Sequence, residues 1–65
     1  MEVMTLTFPV DAHMDAFCTW FSHCFGGLRL TRDADRRTVR VRVPRRSART
    51  VATVARLNGA IVRAA

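Results

Sequence analysis

The chain has 65 residues and a formal net charge of +6, because eleven arginines and no lysine stand against five acidic residues. A domain of this size buries only about 60% of its unfolded surface, so dimerisation, metals or disulfides commonly supplement such a core. The length predicts one domain over residues 1–65 and excludes most catalytic architectures. The positive charge favours acidic partners.

The two cysteines, Cys18 and Cys24, fall in one predicted helix. Six helical residues separate their Cα atoms by about 9 Å, which is too far for a disulfide. Neither end carries a run of the secretory type, so we expect reduced thiols and a cytoplasmic protein. No apolar stretch approaches the roughly 20 residues of a membrane span. Dimerisation is then the expected source of extra stability.

The first half of the chain predicts a strand, a helix and a second strand. Residues 2–8 alternate apolar and polar side chains, which is typical of a strand. A helix follows with Asp11 as its N-cap, and it ends near Phe25 because two glycines come next. Its apolar residues recur at the three-and-four spacing of one buried face. Residues 28–31 predict a second strand, and residues 33–36 a polar hairpin loop.

The second half predicts a strand, a helix and a final strand. Residues 38–43 alternate strictly, with three valines on one face. Pro44 ends this strand, and Ser47 is the predicted N-cap of a helix that closes at residues 58–59. Residues 60–64 have the composition of a short strand. The order β, α, β, β, α, β predicts a ferredoxin-like α+β fold, in which a four-stranded antiparallel sheet carries two helices on one face.

Four potential metal ligands, His13, Cys18, His23 and Cys24, lie along the first helix. His13 and Cys24 are about 16 Å apart along the helix axis, so the four side chains cannot converge on one ion. A cysteine–histidine nucleophile pair needs a third, orienting group and a pocket, and a thin two-layer domain offers little of either. We therefore expect no metal, no cofactor and no catalytic residue, and we assign these side chains to packing.

Arginines on the strands define a first candidate binding surface. Arg29, Arg40 and Arg42, together with Arg63, are predicted to project from the sheet face that the helices leave uncovered. Basic surfaces of this kind are typical of nucleic-acid binders, although RNA-binding sheets of this topology carry aromatic residues where this chain has threonine and arginine. A simply solvated face is the alternative interpretation.

Arg45, Arg46 and Arg49 form a second cluster at the start of the second helix. Positive side chains oppose the helix dipole there, which points to an anionic ligand, and solvation alone is the alternative. Trp20 on the first helix has two interpretations as well. It either covers the rim of the core or anchors a contact with another protein, where tryptophan is enriched.

With this layout the chain resembles an ACT domain, most closely the small regulatory subunits of acetohydroxyacid (acetolactate) synthase. The resemblance rests on the opening strand, the segment 17–21 followed by two glycines, the hairpin, and residues 56–58 at the end of the second helix. It implies a homodimer, joined sheet edge to sheet edge, that docks on a larger catalytic subunit. It also implies an effector loop after the first strand, where this chain has Val10, Asp11 and Ala12 and lacks the glycine of that turn.

Two functional hypotheses follow. The first is a non-catalytic regulatory subunit of an amino-acid biosynthetic enzyme, for branched-chain amino acids, with Trp20, Arg40 and Arg42 contacting an acidic partner. The second is a small basic nucleic-acid-binding protein that uses Arg29, Arg40, Arg42 and the cluster of residues 45–49 on phosphates. Steep salt dependence of binding would distinguish the second from the first.

Overall fold

The computed structural model describes residues 1–64 and has a ferredoxin-like α+β fold. Its elements are β1 (Glu2–Thr7), α1 (Asp11–Cys24), β2 (Leu30–Asp33), β3 (Thr38–Val43), α2 (Arg45–Leu57) and β4 (Ile61–Ala64). The strand order is β2-β3-β1-β4, every neighbouring pair is antiparallel, and both helices cover one face. The sequence prediction of the fold is confirmed. No helix within residues 1–64 has the length and apolar character that a membrane span requires.

The core lies between the sheet and the helices. Alternation along the strands supplies one half of it and the helical periodicity supplies the other. The buried side chains of the sheet side are Met4, Leu6, Phe8, Val39, Val41 and Val43, and those of the helices are Met14, Phe17, Cys18, Phe21, Ala48, Val51, Ala52 and Ala55. Burying one large apolar side chain contributes about 1.5–3 kcal/mol, so this layer is the main source of stability.

All five aromatic residues belong to this helix-side core. They are Phe8, Phe17, Trp20, Phe21 and Phe25. Neighbouring ring centroids in the cluster lie between 5.2 and 5.9 Å apart, within the usual range of aromatic pairs. Trp20 is half-buried at its margin. The opposite face of the sheet therefore carries no aromatic side chain.

The helix starts differ from the predicted ones. Asp11 is the first residue of α1 rather than its N-cap, because Val10 holds the cap position in an extended conformation, with φ of −143°. The α2 helix begins at Arg45, two residues before the predicted cap Ser47. Pro44 is its N-cap, and the Ser47 N–H donates to the Pro44 carbonyl at 2.9 Å, so the chain is already helical there. Neither cap residue makes a side-chain cap bond.

The second strand lies two residues later than predicted. The Leu28 N–H donates to the Phe25 carbonyl at 2.9 Å and closes a turn after α1, so the extended conformation starts only at Leu30. Thr31 lies opposite Arg40 on the face away from the helices, and Arg29, just before the strand, lines the same depression as Arg40 and Arg42. Both residues therefore lie on the side that the sequence predicted.

The remaining boundaries differ by one residue. The hairpin turn occupies residues 34–37 rather than 33–36, because Asp33 still pairs with Thr38 in the β2–β3 ladder. Arg37 completes the turn with φ of 51° and its carbonyl accepts the Phe8 N–H at 2.8 Å. The first strand ends at residue 7, α1 ends at residue 24 and β4 begins at residue 61. None of these differences moves a core side chain to the other face.

Gly59 links α2 to β4 in a left-handed backbone conformation, with φ of 81°. A Cβ atom at this position would lie 3.0 Å from Cγ of Pro9 and 3.3 Å from its Cδ. The loop between α2 and β4 is thus packed directly against the loop between β1 and α1. A residue without a side chain is required on both counts.

Candidate binding surface

The face of the sheet opposite the helices presents arginines in two adjacent cross-strand rows. In the first row, Arg40 lies between Thr31 of β2 and Thr5 of β1, and Thr5 in turn lies opposite Arg63 of β4. Residues directly opposite each other in an antiparallel pair project to the same side. The row therefore places one guanidinium group on each side of Thr5.

The second row lies beside the first, toward the start of β1. Arg42 is opposite Val3, and the Arg42 N–H donates to the Arg29 carbonyl at 3.4 Å. We call the surface formed by Arg29, Arg40, Arg42 and Arg63, with Val3, Thr5 and Thr31 between them, the arginine face. It brings together all four strand arginines that the sequence predicted on the open side.

Ion pairing within residues 1–64 leaves the arginine face without acidic partners. Three of the eleven arginines have an acidic partner there. The pairs are Arg32 with Asp15, Arg36 Nε with Asp33 Oδ2 at 3.9 Å, and Arg45 Nε with Glu2 Oε1 at 4.0 Å. No arginine of the arginine face takes part in these pairs.

The spacing on β3 makes this charge dense. Arg40 and Arg42 are two residues apart on one strand, which is about 6.8 Å at the usual rise. Like charges this close destabilise the folded chain at low salt. A depression of about 260 Å³ lies among Arg29, Arg40 and Arg42, with Thr31 and Val3 also lining it. An anionic group there would relieve the repulsion and accept guanidinium hydrogen bonds.

Trp20 lies in the other layer of the molecule. Its ring packs on Phe17 at 5.8 Å and meets Phe25 edge-on at 5.7 Å. This is the geometry expected of a side chain that covers the rim of the core. Because α1 and the arginine face are on opposite sides of the sheet, Trp20 and the strand arginines do not form one continuous contact surface.

The predicted effector loop is short. Val10 is the exposed N-cap of α1, and Asp11 and Ala12 are exposed residues of its first turn. The neighbouring Pro9 faces Gly59, so this loop is packed against the loop after α2. The Asp11 carboxylate lies in the first turn, where it complements the helix dipole.

The predicted anion cluster at the start of α2 divides into two parts. Arg45 is the partner of Glu2, whereas Arg46 is exposed at the helix start. Arg49 lines a groove together with Arg56, which the sequence analysis gave no role. The signal for Arg56 is present in the sequence, because residues seven apart lie on the same side of a helix.

That groove has a volume of about 660 Å³ and runs along α2 beside the start of β1 and the end of β4. We call it the edge groove. It is lined by Met1, Glu2, Val3, Met4, Arg40, Ala48, Arg49, Ala52, Arg56, Val62 and Ala64. Val3 and Arg40 belong to the arginine face as well, so the two surfaces are continuous around the start of β1.

The two cysteines of α1 differ in exposure. Cys18 is buried, and this burial raises the pKa of its thiol above the ordinary value, with Arg32 opposing the shift and Asp15 adding to it. A raised pKa reduces the thiolate fraction and makes the thiol a poor nucleophile at neutral pH. Cys24 is exposed. Within residues 1–64, no group of three or more histidine, cysteine or acidic side chains comes close enough to hold a metal ion.

No family model, curated protein or solved structure matches this chain. The resemblance to ACT domains therefore stays a prediction. Candidate functions have to come from the chemistry of the surfaces, and that chemistry is dominated by guanidinium groups. Arginine binds carboxylates and phosphates in planar, two-pronged contacts.

Proposed function

We propose that the protein is a non-catalytic binding module of the regulatory-subunit type, whose arginine face docks on an acidic surface of a larger protein. The observation that carries this proposal is the placement of Arg29, Arg40, Arg42 and Arg63 on one face, without acidic partners within residues 1–64. Carboxylates of a partner would pair with these guanidinium groups bidentately and remove their mutual repulsion.

The composition of the arginine face favours a protein partner over nucleic-acid bases. Sheets of this topology bind single-stranded nucleic acid by stacking bases on exposed aromatic rings. Here every aromatic side chain lies in the helix-side core, and the spaces between the arginines are filled by Val3, Thr5 and Thr31. Small β-branched side chains leave the guanidinium groups standing above a flat surface, which suits a complementary protein surface.

The ACT resemblance extends this proposal to a specific class of partner. In that form, the chain is a homodimeric regulatory subunit of a branched-chain amino-acid biosynthetic enzyme such as acetolactate synthase. The outer strands β2 and β4 offer free edges for joining two sheets. Val10, Asp11 and Ala12 would then be the effector loop, and Trp20 a contact separate from the arginine face.

The test is a binding measurement with the purified acetolactate synthase catalytic subunit encoded in the same genome. We expect the wild-type chain to be a dimer by light scattering and to bind that subunit. Arg40→Gln combined with Arg42→Gln should weaken binding by about tenfold, since two charge pairs at an interface contribute roughly 1.4 kcal/mol. The control Arg36→Gln with Arg37→Gln removes the same charge outside the arginine face and should leave binding unchanged.

Titration with valine, leucine and isoleucine in the same experiment addresses the effector loop. A shift in melting temperature that Asp11→Ala abolishes would support effector binding. A catalytic subunit that ignores the chain, or that binds both double variants equally well, would contradict the regulatory proposal.

A nucleic-acid-binding function is the second candidate, and the net charge of +6 together with the dense arginine face favours it. In that case the affinity for an RNA or DNA oligonucleotide falls steeply and linearly with salt on logarithmic axes. Each of Arg29, Arg40 and Arg42 that contacts a phosphate should contribute about one unit of that slope. A salt-independent signal, or no binding to either nucleic acid, would exclude this candidate.

A further inference from the structure

The edge groove lies between α2 and the start of β1. The strand β4 pairs with residues 4–7 of β1, so within residues 1–64 Glu2 and Val3 pair only with β3. The groove has a volume of about 660 Å³ and connects the helix layer with the arginine face.

The floor of the edge groove is apolar. Ala48 and Ala52 are one helical turn apart on α2, and Met4 and Val62 contribute from the sheet. Alanine side chains are too short to fill the space between the helix and the edge of the sheet. The floor therefore offers contact area to an apolar side chain of moderate size.

The walls of the edge groove are basic. Arg49 and Arg56 lie on the α2 side, about 10 Å apart along the helix axis, and Arg40 lies on the sheet side. None of these three arginines has an acidic partner within residues 1–64. Glu2 also lines the groove, but its carboxylate faces Arg45 at 4.0 Å. An occupant with negative charges on both sides of an apolar group would match this arrangement.

A second copy of the chain is a poor match in charge. Of the five acidic residues, Glu2, Asp15 and Asp33 already have arginine partners within their own chain. The walls of the edge groove are themselves basic, so the basic surface of a second copy does not complement them. The complementary occupant is a different, acidic protein.

We propose that the edge groove binds an acidic segment of a protein partner. In this complex an apolar side chain lies over Ala48 and Ala52, and carboxylates on either side of it bind Arg49 and Arg56. The inference rests on the proposed function, because the same acidic partner contacts the arginine face through Arg40 and Val3. The edge groove would then bind a peptide segment of the partner, next to the electrostatic contact that the arginine face makes.

The experiment measures fluorescence anisotropy of two labelled peptides of equal charge and similar length, at about 0.1 M salt, where the Debye length is about 10 Å. One peptide has leucines spaced among glutamates, and the other has serines in place of the leucines. We expect the leucine peptide to bind more tightly. Arg49→Gln with Arg56→Gln should weaken its binding by about tenfold, whereas Arg36→Gln with Arg37→Gln should change it by less than about twofold.

Ala52→Leu provides a variant that keeps the charge and the helix propensity while filling the floor. We expect it to remove the preference for the leucine peptide over the serine peptide. If the groove variants bind both peptides as the wild type does while Arg29→Gln with Arg42→Gln loses binding, the groove inference is wrong and the proposed function stands. If all of these variants bind like the wild type, both are wrong.

Two further outcomes would overturn the inference in favour of another occupant. An RNA oligonucleotide that binds more tightly than the leucine peptide, and that is insensitive to Ala52→Leu, would point to phosphates along the basic walls. A mass by light scattering that rises with the protein's own concentration, and that Ala52→Leu reduces, would assign the groove to a second copy. Circular dichroism and melting curves of every variant verify that each one is folded.

Discussion

Replacement of Gly59 by alanine tests how the two loops at one end of the molecule are packed. A residue with a Cβ atom costs about 1–2 kcal/mol in the left-handed conformation that Gly59 adopts at φ of 81°. The new Cβ would also lie 3.0 Å from Cγ of Pro9, a ring atom that cannot rotate away. Strain and contact together should destabilise the protein by about 2 kcal/mol, which for a domain of this size lowers Tm by roughly 8–16 °C.

Urea and thermal unfolding, followed by the fluorescence of the half-buried Trp20, measure this loss. Gly27→Ala is the matched control, because no atom lies within 4 Å of its Cβ position and its φ is not positive. That variant should be neutral or slightly stabilising. Combining Pro9→Ala with Gly59→Ala should recover the contact part of the loss and leave the backbone strain.

A Gly59→Ala protein as stable as Gly27→Ala would refute the left-handed conformation and the packing of the two loops. If the double variant is no more stable than the sum of the two single changes in unfolding free energy predicts, the contact with Pro9 is refuted and the left-handed conformation of Gly59 is not.

Three further predictions concern charge and the thiols. Because the arginines of the arginine face repel one another, Tm should rise with added salt. Arg42→Gln should raise Tm at low salt and reduce the dependence of Tm on salt. Melting curves at several ionic strengths measure both effects. A thiol reagent should modify the exposed Cys24 rapidly and the buried Cys18 much more slowly, and Cys24→Ser should remove the rapid phase. Burial raises the pKa of the Cys18 thiol, so this thiol stays protonated to a higher pH in the folded state than in the unfolded state. The free energy of unfolding should therefore be constant below the thiol pKa of the unfolded state and should fall as pH rises toward the thiol pKa of the folded state. Cys18→Ala should remove this slope in urea titrations. The chain has no lysine or tyrosine, so few other side chains titrate in this range.

Alternation and periodicity carried most of the fold prediction. In β3 the three valines face the core and Arg40 and Arg42 face away, as a strict period of two requires. The misplaced start of β2 did no harm, because Thr31 lies opposite Arg40 and Leu30 opposite Val41, as the predicted alternation requires. Helix caps were harder to predict, since Pro44 and Val10 hold the cap positions without the side-chain oxygen that a cap prediction looks for.

The candidate site was only partly predictable. The four arginines of the arginine face follow from alternation within single strands, which is local information. The edge groove depends on how closely α2 approaches the sheet beside the start of β1, and no local pattern specifies that approach. The same holds for Arg32, which lies on the helix side of β2 and reaches Asp15 of α1 across the layer.

The separation of the two faces of the sheet has a consequence for how this domain can diverge. Every second residue of β1 and β3 contributes to the hydrophobic layer, and the residues between them contribute to the outer surface. Substitutions at the outer positions leave the packing of the inner ones unchanged. The domain can thus exchange one recognition surface for another over evolutionary time, or in a designed variant, while the same interior keeps it folded.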